Sequence, residues 1–283
     1  MVQDRWRGEG RRGERELVSF IDEIEASSRS LDLLSTSTSP SPSSLSLPPG
    51  PPRRPPLRNP KHQGAFAVAL DGKRLRTPAR NPLILPTYPL ALAVAAEWAS
   101  QTSGRIRPHT MPLMSLAATA IDEPAPRGKV ISTMISYLHT DGALVREARG
   151  SALAEKQAEV FAPVVAWAEK RAKTPFVASD SVRGAPQSPE AVAAIREHLL
   201  ALDRWHLAAA SQLAGAAKSV LLALATLDGA LSSEEALAAA RLEEDAQASE
   251  WGLVEGGHDV DAAGTAVAVG APAVFARLAR VSG

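Results

Sequence analysis

Phe66-Ala67-Val68-Ala69-Leu70-Asp71-Gly72-Lys73-Arg74-Leu75 is the stretch on which the fold turns. Phe66, Val68 and Leu70 alternate with smaller residues, the period-two pattern of a strand with one buried face. Asp71-Gly72 is the dipeptide favoured where a tight hairpin needs positive φ, so a return strand through Leu75 is expected. Leu83 to Leu85 reads as a third short strand, and Pro82 and Pro86 beside it place it at an edge, because proline cannot donate to a ladder. The period then changes. Leu90, Val94 and Trp98 recur at helical spacing after Pro89, a residue suited to the first turn, which predicts a helix over 88–101.

Downstream, the pattern predicts helices over 112–122 and 127–139 and a strand over 143–148. From Ser151 the chain reads as helical almost throughout, over about 151–172, 189–203, 205–215, 218–228, 232–251 and 262–280. Ser232 with Glu235 three residues on is a capping box. The fold class is therefore α+β: a small N-terminal β-rich domain with helices over 63–125, followed by a C-terminal helical bundle domain over 126–283. Upstream, residues 1–26 are densely charged, with Leu17, Phe20, Ile21 and Ile24 at helical spacing, and 27–60 are serine, threonine and proline with too few apolar groups to offset ordering entropy. Residues 1–62 read as a disordered tail or a targeting segment. The serine- and arginine-rich part suits a mitochondrial transit peptide, whereas Asp4, Glu9, Glu14, Glu16, Asp22, Glu23 and Glu25 do not.

The composition bounds the function. Of 283 residues 45% are apolar but only 4% aromatic, so the interior is built from alanine, leucine and valine, which favours closely packed helices. Lysine and arginine total 31, as do aspartate and glutamate, so no net field draws the chain to nucleic acid, and no nucleic-acid partner is expected. The absence of cysteine excludes disulfides, zinc ribbons, iron–sulfur clusters and thiol nucleophiles. The longest uninterrupted apolar run, Ser219 to Leu227, is about half of what a membrane span needs, so no membrane insertion is expected.

Few residues suggest chemistry. Gly215-Ala216-Ala217-Lys218-Ser219 lacks the glycine before lysine that a phosphate loop uses, and the six histidines show no i, i+4 pair for a metal. Neither catalytic residues nor a cofactor or metal site is assigned. One cluster, Glu255 to Asp261 with His258 and Asp259, is open to two readings. It is either a polar loop in which Asp259 or Asp261 caps the next helix, or the centre of a small metal-assisted hydrolase using Glu255, His258 and Asp259. Charge patterning says more. Between Ser232 and Asp261 stand nine acids against the single base Arg241, and between Arg53 and Arg80 eight bases against Asp71. Glu243, Gln247 and Glu250 fall on one helical stripe beside Trp251, and an acidic stripe rimmed by an aromatic serves as a protein-binding edge or as a solvated face. Glu243, Glu244 and Glu250 lie close to a lone arginine, from which mutual repulsion is expected.

The order of short motifs is familiar. Leu70 to Pro78, Asn81-Pro82-Leu83, Ala96-Glu97-Trp98-Ala99, Met111-Pro112-Leu113 and Ala118-Thr119-Ala120-Ile121-Asp122 come first. Tyr137-Leu138 with Thr140-Asp141, Gln157 with Pro163 and Trp167, and Arg241 to Gln247 followed by Trp251-Gly252 and His258-Asp259 continue the series. Together they resemble the assembly chaperones for the α subunit of mitochondrial ATP synthase F1, the family called F1 complex assembly factor 2. The resemblance spans about Phe66 to Leu278. It departs at Ala246 and Gly256, where that family tends to carry aromatics, and at Lys218, where a small or apolar residue is expected at the start of a buried helix. The resemblance implies a two-domain fold, a mitochondrial matrix location and a monomer without catalysis or cofactor that holds the α subunit until the β subunit replaces it. It also implies that Glu243, Glu244, Gln247, Glu250 and Trp251 bind the partner. Trp98, Asp122 and Trp167 are read as structural, Trp98 as an anchor of the junction between the domains.

Overall fold

Asp71 and Gly72 take φ of 51° and 72°, the two left-handed positions of a tight hairpin turn, and so join β2 (Ala69–Leu70) to β3 (Lys73–Arg74). This computed structural model describes residues 65–101, 105–147, 150–181, 183–252 and 258–280, with the backbone alone for Trp251, His258 and Asp259. The tail expected over 1–62 lies outside the described residues. β1 (Phe66–Ala67) pairs antiparallel with β4 (Ile84–Leu85), Phe66 opposite Leu85, and β2 pairs with β3, Ala69 opposite Arg74. Val68, Leu83 and Leu85 are buried where these ribbons meet. Helix α1 (Tyr88–Ala99) is capped by the Thr87 hydroxyl, which accepts from Leu90 N, and it buries Leu90, Ala91 and Val94. Trp98, one turn beyond Val94, is half-buried, and its indole Nε1 is enclosed without a hydrogen-bond partner.

Packing divides the chain into two units. Among the described residues, the first holds those up to Arg76 and those within Pro82–Arg107; the second holds Thr77–Asn81 and those from Pro108 onward. The second unit is helical: α2 (Pro112–Asp122), α3 (Arg127–Tyr137), α4 (Ala152–Ala172), α5 (Pro189–Ala201), α6 (Arg204–Ala217), α7 (Val220–Leu227), α8 (Ser233–Ala240), α9 (Leu242–Trp251) and α10 (His258–Ala279). Ser151, Ser188, Asp203, Ser219 and Ser232 cap α4 to α8 by accepting from a backbone N–H two or three residues on. Each such cap contributes about 1 kcal/mol. The core is α7, all eight of whose residues are buried, packed against α3, α4, α6, α8 and α10. Alanines supply much of the buried surface of α6, α8 and α10, in keeping with the alanine-rich, aromatic-poor composition.

Three local expectations are corrected. Residues 143–147 of the strand expected over 143–148 form none, residue 148 lying outside the described residues: the Asp141 carbonyl accepts from Leu144 N and Val145 N, curling the chain into a turn, and only Val145 makes a single parallel bridge, to Ser179. The helix over 232–251 is broken at Arg241, whose φ of −103° and ψ of 4° end α8 and begin α9. No glycine or proline marks that break, so periodicity runs through it. The last helix starts at His258 rather than 262. α10 also contains Val260–Ala279, long and apolar enough to span a membrane by length and composition, with mean hydropathy 1.4. Counting only unbroken apolar runs overlooks it, because Asp261 and Arg277 interrupt the sequence without removing its apolar character.

Candidate functional site

The acidic stripe exists as a surface. On α9 Leu242 is the buried residue, while Glu243, Gln247 and Glu250 are exposed at spacings of four and three, on one side of the helix. Glu243, Glu244 and Asp245 occupy its first turn, where the free N–H groups and the helix dipole favour negative charge. The side chain of Trp251 lies outside the described residues.

The expected mutual repulsion is relieved in part, at Glu244 and Glu243, by partners from elsewhere in the second unit. Lys218 Nζ donates to Glu244 Oε1 at 2.6 Å. Gln157 Nε2 donates to Glu243 Oε1 at 3.1 Å, while Gln157 Oε1 accepts from Glu147 N at 2.7 Å, so a buried amide on α4 ties the acidic helix to the loop before it. Arg241 reaches Asp245 at 3.0 Å and Asp261 at 3.4 Å. Burial works to raise the Glu244 carboxyl, but the hydrogen bond from Lys218 and the charges of Lys218 and Arg241 outweigh it and hold it below its ordinary value. The same hydrogen bond raises Lys218.

Lys218 is also placed otherwise than expected. It does not enter the buried helix but sits between α6 and α7 at φ 53°, where the left-handed turn sends its side chain outward. The residues around it are anchored by Asp141. Its carboxylate, almost fully buried, accepts from Ser219 Oγ at 2.5 Å, Val220 N at 2.7 Å, Ala143 N at 3.0 Å and Leu221 N at 3.1 Å, thereby capping α7 from outside its own chain segment. Burial pushes the Asp141 carboxyl up, and these donors pull it back only in part. Gly142 N donates to the Lys218 carbonyl at 3.0 Å, fixing the turn from which Lys218 reaches Glu244. Beneath lies a crevice of about 40 Å³ lined by Gly142, Phe161, Lys218, Leu222, Ala239 and Glu243 among others, far smaller than the several hundred Å³ of a small-molecule site. What the arrangement can do is present a positioned row of carboxylates to a macromolecule.

Asp122 and Trp167 have identifiable packing roles. The Asp122 carboxylate accepts from Thr77 Oγ1 at 2.5 Å, Asn81 Nδ2 at 2.9 Å and Ala79 N at 3.2 Å, clasping the 77–81 loop onto the end of α2. Burial works against its charge, yet those three donors hold it below the ordinary carboxylate value. Trp167 lies half-buried with its ring 6.0 Å from that of buried His198, whose Nε2 is 3.3 Å from Asp228 Oδ1. Of the alternative hydrolase centre, Glu255 and the side chains of His258 and Asp259 lie outside the described residues. Among the described residues no group of three or more His, Asp or Glu is placed to hold a metal ion.

Comparison with known proteins bears on this surface. The sequence profile of the ATP12 chaperone protein family matches residues 56–169. A mitochondrial atp12 protein of Schizosaccharomyces pombe is 30% identical over 211 residues, covering 70% of this chain and 72% of the relative. This chain belongs to the ATP12 chaperone family. The mitochondrial ATP12 protein of Saccharomyces cerevisiae is 28% identical over 243 residues, covering 70% of this chain and 74% of its own length. The crystal structure of Atp12 from Paracoccus denitrificans superposes with a TM-score of 0.70 at 34% identity, covering 77% of this chain and 94% of that one. The ATP12 profile ends before α9, so the stripe from Glu243 to Trp251 lies beyond it. Sequence reasoning missed Lys218, Gln157 and Asp141 as supports of the stripe. Gln157 and Asp141 do stand within the motifs quoted for the resemblance, but the partners that tie them to α9 and α7 are 86 and 79 residues away in sequence, beyond the reach of any local pattern.

Proposed function

We propose that this ATP12 protein is an assembly chaperone that binds the unassembled α subunit of mitochondrial F1-ATPase, prevents its aggregation and releases it to the β subunit. The observation that carries the reading is the exposed carboxylate row of α9 in a member of a chaperone family. A subunit made before its partners presents an apolar interface, which is an aggregation hazard. A holdase requires only a complementary surface with a suitable off-rate, and charge along that surface speeds encounter and selects the partner. Glu243, Glu244, Gln247, Glu250 and Trp251 form that surface in this proposal, with the protein acting as a monomer, without catalysis, in the mitochondrial matrix. The names of the two yeast relatives support a mitochondrial site of action.

The test uses purified components. Purified α subunit diluted from denaturant scatters light as it aggregates, and an equimolar amount of this protein is expected to suppress the scattering and to yield a one-to-one complex on gel filtration. Addition of β subunit then transfers α out of that complex. Unchanged aggregation together with no complex would refute the reading.

A further inference from the structure

The valines of α10 stand out among the exposed large apolar side chains. Val260, Val267 and Val274 recur every seven residues and are 68%, 49% and 46% exposed. At 100° per residue Val260, Gly264, Val267, Gly270, Ala271 and Val274 fall within one arc of about 120°. This ridge runs the length of the helix, and between Val260 and Arg277 the only charge on α10 is Asp261, off the edge of the arc. The opposite side of the helix is used internally: Val269, Phe275, Ala276 and Ala279 are buried, and α10 packs on α2, α6, α7 and α8. The Val260–Ala279 stretch has the hydropathy of a core helix, yet only 28% of its most apolar 18 residues are buried.

A second observation is independent of the valines. A Cβ added at Gly264 or at Gly270 meets nothing within 4 Å among the described residues. Glycine within a helix is destabilising relative to alanine, and no packing of the described chain requires it at either position. Small residues on an outer helix face allow another chain to approach the backbone closely, so these two sites make sense against something that docks from outside. The chemistry of that occupant is set by the border. Asp261 at the head of the ridge shares Arg241 with Asp245 of the first turn of α9, and Lys218, the partner of Glu244, feels the charges of Glu243 and Asp261 as well, which sets the apolar face beside the acidic start of α9. An apolar floor with an acidic margin complements an aliphatic segment flanked by lysine or arginine.

We propose that this ridge of α10 is the apolar half of the client site, taking an aliphatic segment of the unassembled α subunit whose basic flank lies over α9. The inference rests on the function proposed above and divides the labour within it. The α9 carboxylates steer and select, with an effect that salt screens, while the α10 ridge supplies contact that salt does not weaken.

The test compares capture of purified α subunit by wild type, by Val267→Glu/Val274→Glu and by Gly264→Leu/Gly270→Leu, at low and high salt. Val267, Val274 and Gly264 are exposed, and Gly270 is half-buried with open space where a Cβ would stand. The glutamate pair is expected to weaken capture at least tenfold at both salt concentrations. The leucine pair, which removes two helix-weakening glycines, is expected to melt no earlier than wild type and still to lose capture; it also keeps the proposal testable if the glutamate pair fails to fold. Folded variants that capture α as wild type does, at both salt concentrations, would overturn the ridge while leaving the chaperone reading standing. Failure of wild type itself to capture α would overturn both. A wild-type dimer in light scattering, or flotation with phosphatidylcholine vesicles containing an anionic lipid, that either pair abolishes without changing capture would assign the ridge to a second copy or a membrane and would also overturn the proposal.

Discussion

Reversing the charge at Glu244 separates the role of the acidic helix in folding from its role in capture. Glu244 is one-third exposed and Lys218 two-thirds exposed at a contact of 2.6 Å, so the pair is a surface ion pair worth at most about 1 kcal/mol after screening. Glu244→Lys removes that attraction, sets two ammonium groups together and removes an acid from the first turn of α9, a combined cost of roughly 1 to 2 kcal/mol. For a unit of this size that lowers the melting midpoint by roughly 2 to 8 °C and leaves the fold intact. If the carboxylate also meets a basic group on the α subunit, its reversal weakens capture by about ten- to a hundredfold at low salt and by much less at high salt.

The double variant Lys218→Glu/Glu244→Lys discriminates, because it restores an internal ion pair with the charges exchanged. Its melting midpoint should recover much of the loss but stay about 1 to 4 °C below wild type, because the first turn of α9 still carries an ammonium in place of an acid. Capture should not return, since the face of α9 seen by the client has still changed sign. Thermal circular dichroism and gel-filtration capture of purified α subunit at two salt concentrations supply both readouts. Capture by Glu244→Lys equal to wild type at low ionic strength, with both folded, would remove this carboxylate from client recognition. Capture restored along with stability in the double variant would make its role internal to the protein.

Asp141→Ala should be the more damaging change, because it strands a hydroxyl and three backbone N–H groups near the start of the buried helix α7; we expect a loss of about 3 to 5 kcal/mol in urea denaturation. Trp98→Arg places a charge in a half-buried indole site next to Val94 and should cost about 2 to 4 kcal/mol, seen as an earlier melt by circular dichroism; a well-folded mutant that binds client weakly would instead make Trp98 a contact residue. Deleting residues 1–60 should leave the melting of the remainder unchanged within about 2 °C, since their composition offers too little apolar surface for a core. Asp122 and Asp228 are held below their ordinary values in the fold, so the unfolded chain binds more protons than the folded one as pH falls, and the stability they contribute above the ordinary carboxylate pKa is lost as pH drops through their folded values. Asp141, raised by burial, works in the opposite sense, and Asp141→Asn should therefore steepen the acid loss of stability followed by urea titration between neutral pH and about pH 3.

The hairpin at Asp71-Gly72, the helix after Pro89 and the capping box at Ser232 were all readable from sequence, because turn chemistry and capping are settled within four residues of themselves. The α+β class followed from where period two gives way to a period near 3.6. The exposed row Glu243, Gln247 and Glu250 was readable for the same reason, since spacing along one helix fixes which side chains share a side. What neighbours that row has is a different matter. Lys218 is 26 residues from Glu244, and Gln157 is 86 residues from Glu243, so only packing of α4, the α6–α7 turn and α9 together turns an expected repulsion into a positioned surface that is paired in part and still acidic. The strand expected over 143–148 fails across 143–147 for the same reason, because Asp141, whose carbonyl closes the turn there, is held by its carboxylate at the N-terminus of α7, nearly 80 residues away. Sequence by itself thus determined most of the elements, the sign of the charge on α9 and the resemblance to a chaperone family. Tertiary structure alone decided which carboxylates are already paired, and which side of the apolar helix α10 faces water: the ion pairs depend on distances across the fold, and a stripe of valines looks the same in sequence whether it lines a core or a docking surface.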